Sequence, residues 1–510
     1  MQLIPISNLA RVAALAALAL PLTAQVTFTG LGTSIPGLRV ADISSDGSAM
    51  VASDGTSIYL RTSANPTFVV VGVSAGYDFD VSNGGTYICA TIPDPSNNNA
   101  ETAARLTVAT GQWTFLGGLG GQSGTSLSSA YDMSADGQAI VGLGWITAQR
   151  AHAFRWDPVN GMLDLGSMPG NPHSSRADAI SADGTTITGW DEDPNTGVWR
   201  AAKWVNTVES LLGCLDPSDP INGPSQGYAV SSDGAYIVGE SATGLYTPSY
   251  WSEMHAFRWD AINGMLDLGT TPVDPFGWGN HDTFPTAVST DGRTVVGLSG
   301  AGFGGQTAFI SHHGSPMQPL QDFLLAMGAS NAANWFFSDI AGMSADGRVI
   351  CGSAYNASFQ TEPYLITLPA NAETYCVAKV NSLGCTPAIS ATGIASATSS
   401  LPFTVGASNV LNNKTGLVFY GLGALNNPFQ GGTKCVSSPS FRTPTQNSSG
   451  APSGNSCTGA YSFDFNALIQ ASTNPQLTVG AKVYCQYWSR DPLSPSTTGL
   501  TNAASFTIFP

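Results

Sequence analysis

The chain has 510 residues and few charges: Lys+Arg 18 stand against Asp+Glu 34, only five of them Lys, for a formal net charge of −16 at pH 7. That balance excludes nucleic acid, whose phosphates need basic patches, and electrostatic binding to anionic lipid. The 58 glycines and 31 prolines suit a turn-rich all-β protein, and almost no segment has helical periodicity.

Residues 1–24 read as a secretory signal. Arg11 supplies the charge, Val12 to Leu20 the short apolar stretch, and Leu22-Thr23-Ala24 the cleavage site. The stretch is too short to span a bilayer, and no later segment is long and apolar enough. The expectation is a mature chain outside the cytoplasm: secreted, held at the cell surface, or in the periplasm.

From there a Ser-x-Asp-Gly turn recurs seven times, starting at Ser44, Ser82, Ser134, Ser181, Ser231, Ser289 and Ser344. Spacings of roughly 40–50 residues mean one supersecondary unit repeated. In the third copy, Ser129–Met133 is an alternating run before the turn, and Ala139–Gly142 a second after it. His152–Trp156 and Met162–Leu165 follow. Alternating runs broken by Gly, Asp, Asn or Pro are strands, and Asp-Gly between two of them marks a hairpin. Four strands per copy make a propeller blade. The second copy reads Ser82-Asn83-Gly84-Gly85, keeping the turn and losing the carboxylate.

Fourth strands fall at Phe68–Val71, Trp113–Leu116, Met162–Leu165, Glu209–Leu212, Met265–Leu268 and Met317–Leu320, and the seventh copy has none. Val26–Gly32 resembles Trp113–Gly117 and is expected to complete that copy, closing the ring and removing two unpaired edges. A short helix is expected over Leu320–Met327. The reading is therefore all-β: a seven-bladed β-propeller over 25–369, a linker at 370–374, and a smaller β-sandwich over 375–510. The last rests on runs at Phe403–Ala407, Leu417–Tyr420, Tyr461–Phe465, Lys482–Trp488 and Ser505–Phe509.

Eight cysteines in an exported chain invite disulfides. Cys89 and Cys351 share the register of Val141, Val238 and Val296 and read as buried small hydrophobes. Among the five after residue 370, spacing leaves the connectivity open. Local closure pairs Cys376 with Cys385 and Cys435 with Cys457, leaving Cys485 odd.

No catalytic, cofactor or metal constellation emerges. Asp46, Asp136, Asp183, Asp233, Asp291 and Asp346 occur once per repeat in hairpin turns, where Asp bonds its own backbone. Calcium needs six to eight converging oxygens. Asp42, Asp80, Asp132 and Asp178 precede the turns and face the channel, where solvated lining outweighs a cation ring. His152 and His255 recur in register and read as packing or bonding to an adjacent blade. Gly223-Pro224-Ser225-Gln226-Gly227 matches a hydrolase pattern without its strand–turn–helix setting. The aromatic loops on one propeller face lean toward function. Trp145, Trp190, Tyr250, Trp251, Phe276 and Trp278 suit sugar or protein recognition, against packing within the loops themselves.

At His152-Ala153-Phe154-Arg155-Trp156-Asp157 and Gly161-Met162-Leu163-Asp164-Leu165-Gly166 the chain resembles the HAF-repeat family of extracellular bacterial repeat proteins. The string recurs at His255–Asp260 and Gly264–Gly269, and the likeness covers about residues 40–368. The stretch beginning Tyr375-Cys376 resembles a domain appended to exported bacterial proteins. The resemblance implies export and repeats and brings no activity. The expectation is a non-enzymatic exported propeller binding an extracellular protein or glycan. The alternative is a polysaccharide hydrolase or lyase with its site at the channel mouth.

Overall fold

The computed structural model describes residues 26–509 apart from 74–75, 168–172, 217–222, 247–251, 272–281, 301–305, 313–314, 370–371 and 399–401. The expected signal segment, residues 1–24, and two residues of the expected linker lie outside the described residues. Among those described, the strands up to Thr367 fall into seven antiparallel groups of four. Two groups are joined by one parallel bridge, Met254 to Asp282. This is the sheet stacking of a β-propeller.

Each hairpin is built by its own turn residues. Ser134 Oγ donates to Asp136 Oδ1 at 2.6 Å and accepts the Ala139 N–H at 2.9 Å. Asp136 Oδ1 also accepts the Gln138 N–H at 3.0 Å. Gly137 takes φ 67°, a conformation a Cβ would penalise. The Ser–Asp bond recurs at 2.6–2.7 Å in the other copies that keep the Asp. These carboxylates are committed to their turns. In the second copy Ser82 Oγ still accepts the Tyr87 N–H at 2.8 Å.

The first strand of six groups carries a β-bulge just before the turn, as between Ala130 and Asp132 or Ala177 and Ala179. The bulge pushes a carbonyl toward the neighbouring strand and dictates a glycine there. A Cβ at Gly142, Gly189, Gly239 or Gly297 would overlap the carbonyl oxygen of Ser129, Arg176, Gln226 or Phe284.

Neighbouring groups are stitched turn to turn. Asn83 N–H donates to Ala135 O at 2.9 Å, Ala135 to Ala182 at 3.0 Å, and Ala182 to Ser232 at 3.1 Å. Thr290 donates to Ala345 at 2.8 Å, and Ala345 donates to Ser45 at 2.7 Å, linking the last repeat to the first. Ser45 Oγ reaches Asn83 Oδ1 at 3.0 Å. The N-terminal strand Thr27–Gly30 pairs with Tyr364–Thr367 as the fourth strand of the seventh group. Phe28 packs edge-on against Trp335 and Phe337 at 4.9 and 5.4 Å. The expected helix is present as α1 (Leu320–Ala326), with Leu320, Phe323 and Leu324 buried beside Phe28.

Beyond the repeats, a pair of sheets faces one core. Glu373–Tyr375, Thr498–Thr507, Lys482–Arg490, Thr415–Gly421, Phe441–Arg442 and Gln446–Asn447 form the larger, and Ala388–Thr392, Thr404–Val410 and Gly459–Asp464 the smaller. Val405, Val418, Phe465, Tyr487 and Phe506 fill the space between them. The run read as a strand over Tyr461–Phe465 ends instead in α2 (Phe465–Gln470). Asp464 caps it, accepting the Asn466 N–H. Ile394 and Phe509 leave this core and join the cluster around α1, with Phe509 4.6 Å from His312. The C-terminal region is thus docked on the repeats through shared apolar side chains.

The cysteine pairing corrects the expectation. Cys376 bonds Cys435 and Cys385 bonds Cys457, so the four participants match and the partners cross. Pairing of Glu373–Tyr375 with Ala503–Ser505 lays Cys376 against Gly432–Val436, where Tyr375 Oη donates to Cys435 O at 2.6 Å. The turn at Asn381 carries Cys385 away to Cys457, whose sulfur lies 3.5 Å from the Asn381 amide. Sheet topology, not sequence proximity, chose the partners. Cys485 is a free, buried thiol, pushed by burial up to about 12, and Cys89 and Cys351 are fully buried.

Candidate functional site

First strands from all seven groups line one central cavity of about 240 Å³. The position two before each turn serine reads Asp42, Asp80, Asp132, Ala179, Ala229, Ala287 and Gly342. Its three acids therefore sit on three consecutive groups. Asp80 accepts the Val81 N–H at 2.5 Å and, across to the next group, the Met133 N–H at 2.8 Å. Asp132 repeats the step, accepting the Met133 N–H at 2.7 Å and the Ile180 N–H at 2.6 Å.

Burial raises all three carboxyls, and the charge of Asp80 raises Asp42 and Asp132 further. Asp80 belongs to the group between those of Asp42 and Asp132, and its charge opposes ionisation of both neighbours. All four acids named from the sequence line this cavity, and Asp80 and Asp132 also bridge to an amide of the next group. No cluster of three or more His, Cys, Asp or Glu arranged to hold a metal occurs among the described residues.

Where the first strands begin, the cavity opens among different groups. Arg176 Nη2 lies 2.8 Å from Asp178 Oδ1, and Gln226 Nε2 donates to Asp178 Oδ2 at 3.3 Å. The guanidinium stands 5.3 Å from the Tyr131 ring and 5.7 Å from that of Trp190. Tyr228 Oη donates to Glu240 Oε1 at 2.6 Å, and its ring meets Phe284 at 6.4 Å.

Burial raises Asp78 to about 6 against the pull of Arg176, and Asp178 to about 6 against the same charge. Burial raises Glu240 to about 7, with the Asp282 charge adding to it. Burial and the Glu240 charge push the Tyr228 phenol up. Carboxyls poised near neutrality around one arginine can hold hydroxyls as donors or acceptors and exchange protons.

No family model matches the chain, and no curated protein does. Among solved structures it is similar to an oligogalacturonate lyase from Vibrio parahaemolyticus. That match has 9% identity and TM-score 0.43, covering 68% of this chain and 97% of the other. It is also similar to the β-propeller domain of the trilobed protease from Pyrococcus furiosus at 13% identity and TM-score 0.41, covering 65% and 94%. For TolB from Acinetobacter baumannii the identity is 11%, the TM-score 0.32 and the coverage 65% and 64%.

The aromatic residues named from sequence fare unevenly. Trp190 is 7% exposed, its face covered by Trp199 stacked at 4.8 Å, and Trp199 presents the open surface instead. Trp145 is half-buried at the end of its strand, paired with Ala151. Tyr250, Trp251, Phe276 and Trp278 lie outside the described residues.

His152 and His255 bond Asp164 and Asp267, each at 2.9 Å, within their own four-strand group and not across to an adjacent one. That bond holds the His255 imidazole above its ordinary value. Ser225 of the hydrolase-like string is a peg, accepting the Ala201 N–H at 2.9 Å and donating to Gly213 O at 2.6 Å.

Asp78, Arg176, Tyr228 and Glu240 were missed. Only Tyr228 carried a signal, at the position three before each turn serine, which reads Tyr131, Asp178, Tyr228 and Thr286 in four neighbouring copies.

Proposed function

We propose that the chain is an exported repeat protein of the HAF type that binds an extracellular polysaccharide without turning it over. In this reading the seven four-stranded groups are the blades of a propeller closed by Thr27–Gly30, and the C-terminal region is a β-sandwich module. The ring reading is supported by a cavity lined from all seven groups and by the Ala345-to-Ser45 hydrogen bond. Export is supported by the two disulfides.

The observation that carries the binding reading is the convergence of Arg176, Asp178, Tyr228 and Glu240 at the mouth of that cavity. Alternating donors and acceptors beside aromatic rings fix the hydroxyls and faces of a sugar. The test is a glycan array with the mature chain, paired with a reducing-end release assay. Binding lost on Arg176→Gln, without release, supports the proposal. Arg176→Gln binding like wild type overturns it.

A second reading, a hydrolase or lyase at the same mouth, is favoured by Asp178 at about 6 and Glu240 at about 7. Release of reducing ends abolished in Glu240→Gln would establish that reading in place of the first.

A further inference from the structure

The outer face of the larger C-terminal sheet holds a second cavity, of about 320 Å³, which the mouth does not use. Along Thr415–Gly421, Val418 and Tyr420 point into the core, so alternation sends Leu417 and Phe419 outward. Trp488, paired with Leu417, joins them as the floor. The hairpin Ala424–Phe429 and Gly432–Val436 folds over this face and supplies Phe429, Gln430 and Lys434. Arg442 closes the rim.

At one end Val436 packs with Phe419, Tyr484 and Leu500. The hairpin tip is pinned: Trp488 Nε1 donates to Gln430 Oε1 at 3.3 Å, while Lys379 Nζ and Ser496 Oγ donate to Gln430 O at 2.9 and 2.7 Å. The indole plane and the cavity's width are therefore preset, which lowers the ordering cost of binding.

Its charge runs against the chain. In a protein of net charge −16, Lys434 and Arg442 both line this cavity. Among the described residues no carboxylate lies within ion-pair distance of either, and Lys434 reaches only Ser438 Oγ at 3.5 Å. A third cation, Arg490, stands 5.3 Å from the Trp488 ring. An aromatic floor asks for the apolar face of a ring, and an unpaired Arg–Lys pair asks for an anion that a planar guanidinium can grip.

We propose that this cavity binds a carboxylate-bearing sugar, a uronate unit of an acidic polysaccharide. The site uses none of the mouth residues, so it stands or falls separately from the binding proposed there.

The experiment is calorimetric titration of the whole mature chain with a uronate oligosaccharide, a sulfated oligosaccharide and a neutral gluco-oligosaccharide. Arg442→Gln, Lys434→Gln and Trp488→Phe are tested beside Arg150→Gln, which removes one exposed charge on the repeats. Uronate binding is expected, weakened roughly tenfold by Arg442→Gln or Lys434→Gln and unchanged by Arg150→Gln. The tryptophan emission change on binding is expected to shrink in Trp488→Phe. Absence of uronate binding, equal affinity for the neutral sugar, preference for the sulfated one, or indifference to both cation variants would each overturn the proposal. Mouth binding is read separately, through Arg176→Gln.

Discussion

Asp178 gives the sharpest test of the mouth's electrostatics. Its carboxyl goes from an ordinary 3.8 to about 6 because burial outweighs the Arg176 charge. The side chain is 11% exposed, so solvent screening removes little. The folded protein keeps this proton up to about pH 6, while the unfolded chain releases it near 3.8. Between those values the folded state binds more protons, and stability falls as pH rises. Two units at about 1.4 kcal/mol each give about 3 kcal/mol.

For the roughly 345 residues of the repeat region, an unfolding entropy of about 2.1 cal/mol/K per residue turns that into a Tm change of about 4 °C. Asp178→Asn keeps the shape and cannot ionise. Between pH 4 and 7 its Tm is expected to decline about 4 °C less than wild type. Asp78 and Glu240 shift in the same direction and remain, so the slope is reduced and not abolished. Scanning calorimetry at constant ionic strength reads both slopes. Equal slopes would refute the reasoning.

Each disulfide closes a long loop, 59 and 72 residues apart in sequence. Removing either by Cys→Ser at both ends is expected to cost about 4 kcal/mol in denaturant unfolding. Non-reducing peptide mapping should link the Cys376 peptide to that of Cys435. A Cys376–Cys385 peptide would contradict the topology. Gly239→Ala drives a Cβ into the Gln226 carbonyl and is expected to cost about 3 kcal/mol, read as a lowered Tm, whereas Gly264→Ala at a turn with open space costs about 1 kcal/mol. Phe28→Ala empties a fully packed slot beside Trp335 and Phe337 and is expected to cost about 3–5 kcal/mol, with amide exchange rising over 364–367.

The strands and hairpins of the repeats, α1 and the N-terminal strand's partner were legible because each follows from a local rule. Period-two alternation, Asp-Gly turns and an unfilled fourth-strand slot each constrain a few neighbouring residues. The disulfide partners were not legible. They depend on which strands pair, and Cys376 meets Cys435 only because Glu373–Tyr375 adds to the edge of Thr498–Thr507. α2 was hidden for a similar reason, since Asp464 as a cap and Asp464 as a strand end look alike until the next residues turn inward.

The site was the least legible feature, and the bulge explains why. A repeat confines most of its residues to one role: the turn Ser and Asp bond each other, and the second-strand glycine clears a carbonyl. Free variation is left at the positions two and three before the turn serine, the first lining the cavity in all seven copies and the second in four. There the chain puts Asp42, Asp80 and Asp132 on one side and Tyr131, Asp178 and Tyr228 toward the mouth. Reading each copy alone finds only fragments, Arg176 with Asp178 in one and Tyr228 with Glu240 in the next. Asp178 meets Gln226, and Tyr228 lies between Phe284 and Glu240, through contacts between neighbouring groups or between strands of one group. In a stacked repeat, the place to seek function is a column across the copies, at the position where the repeat stops dictating the residue.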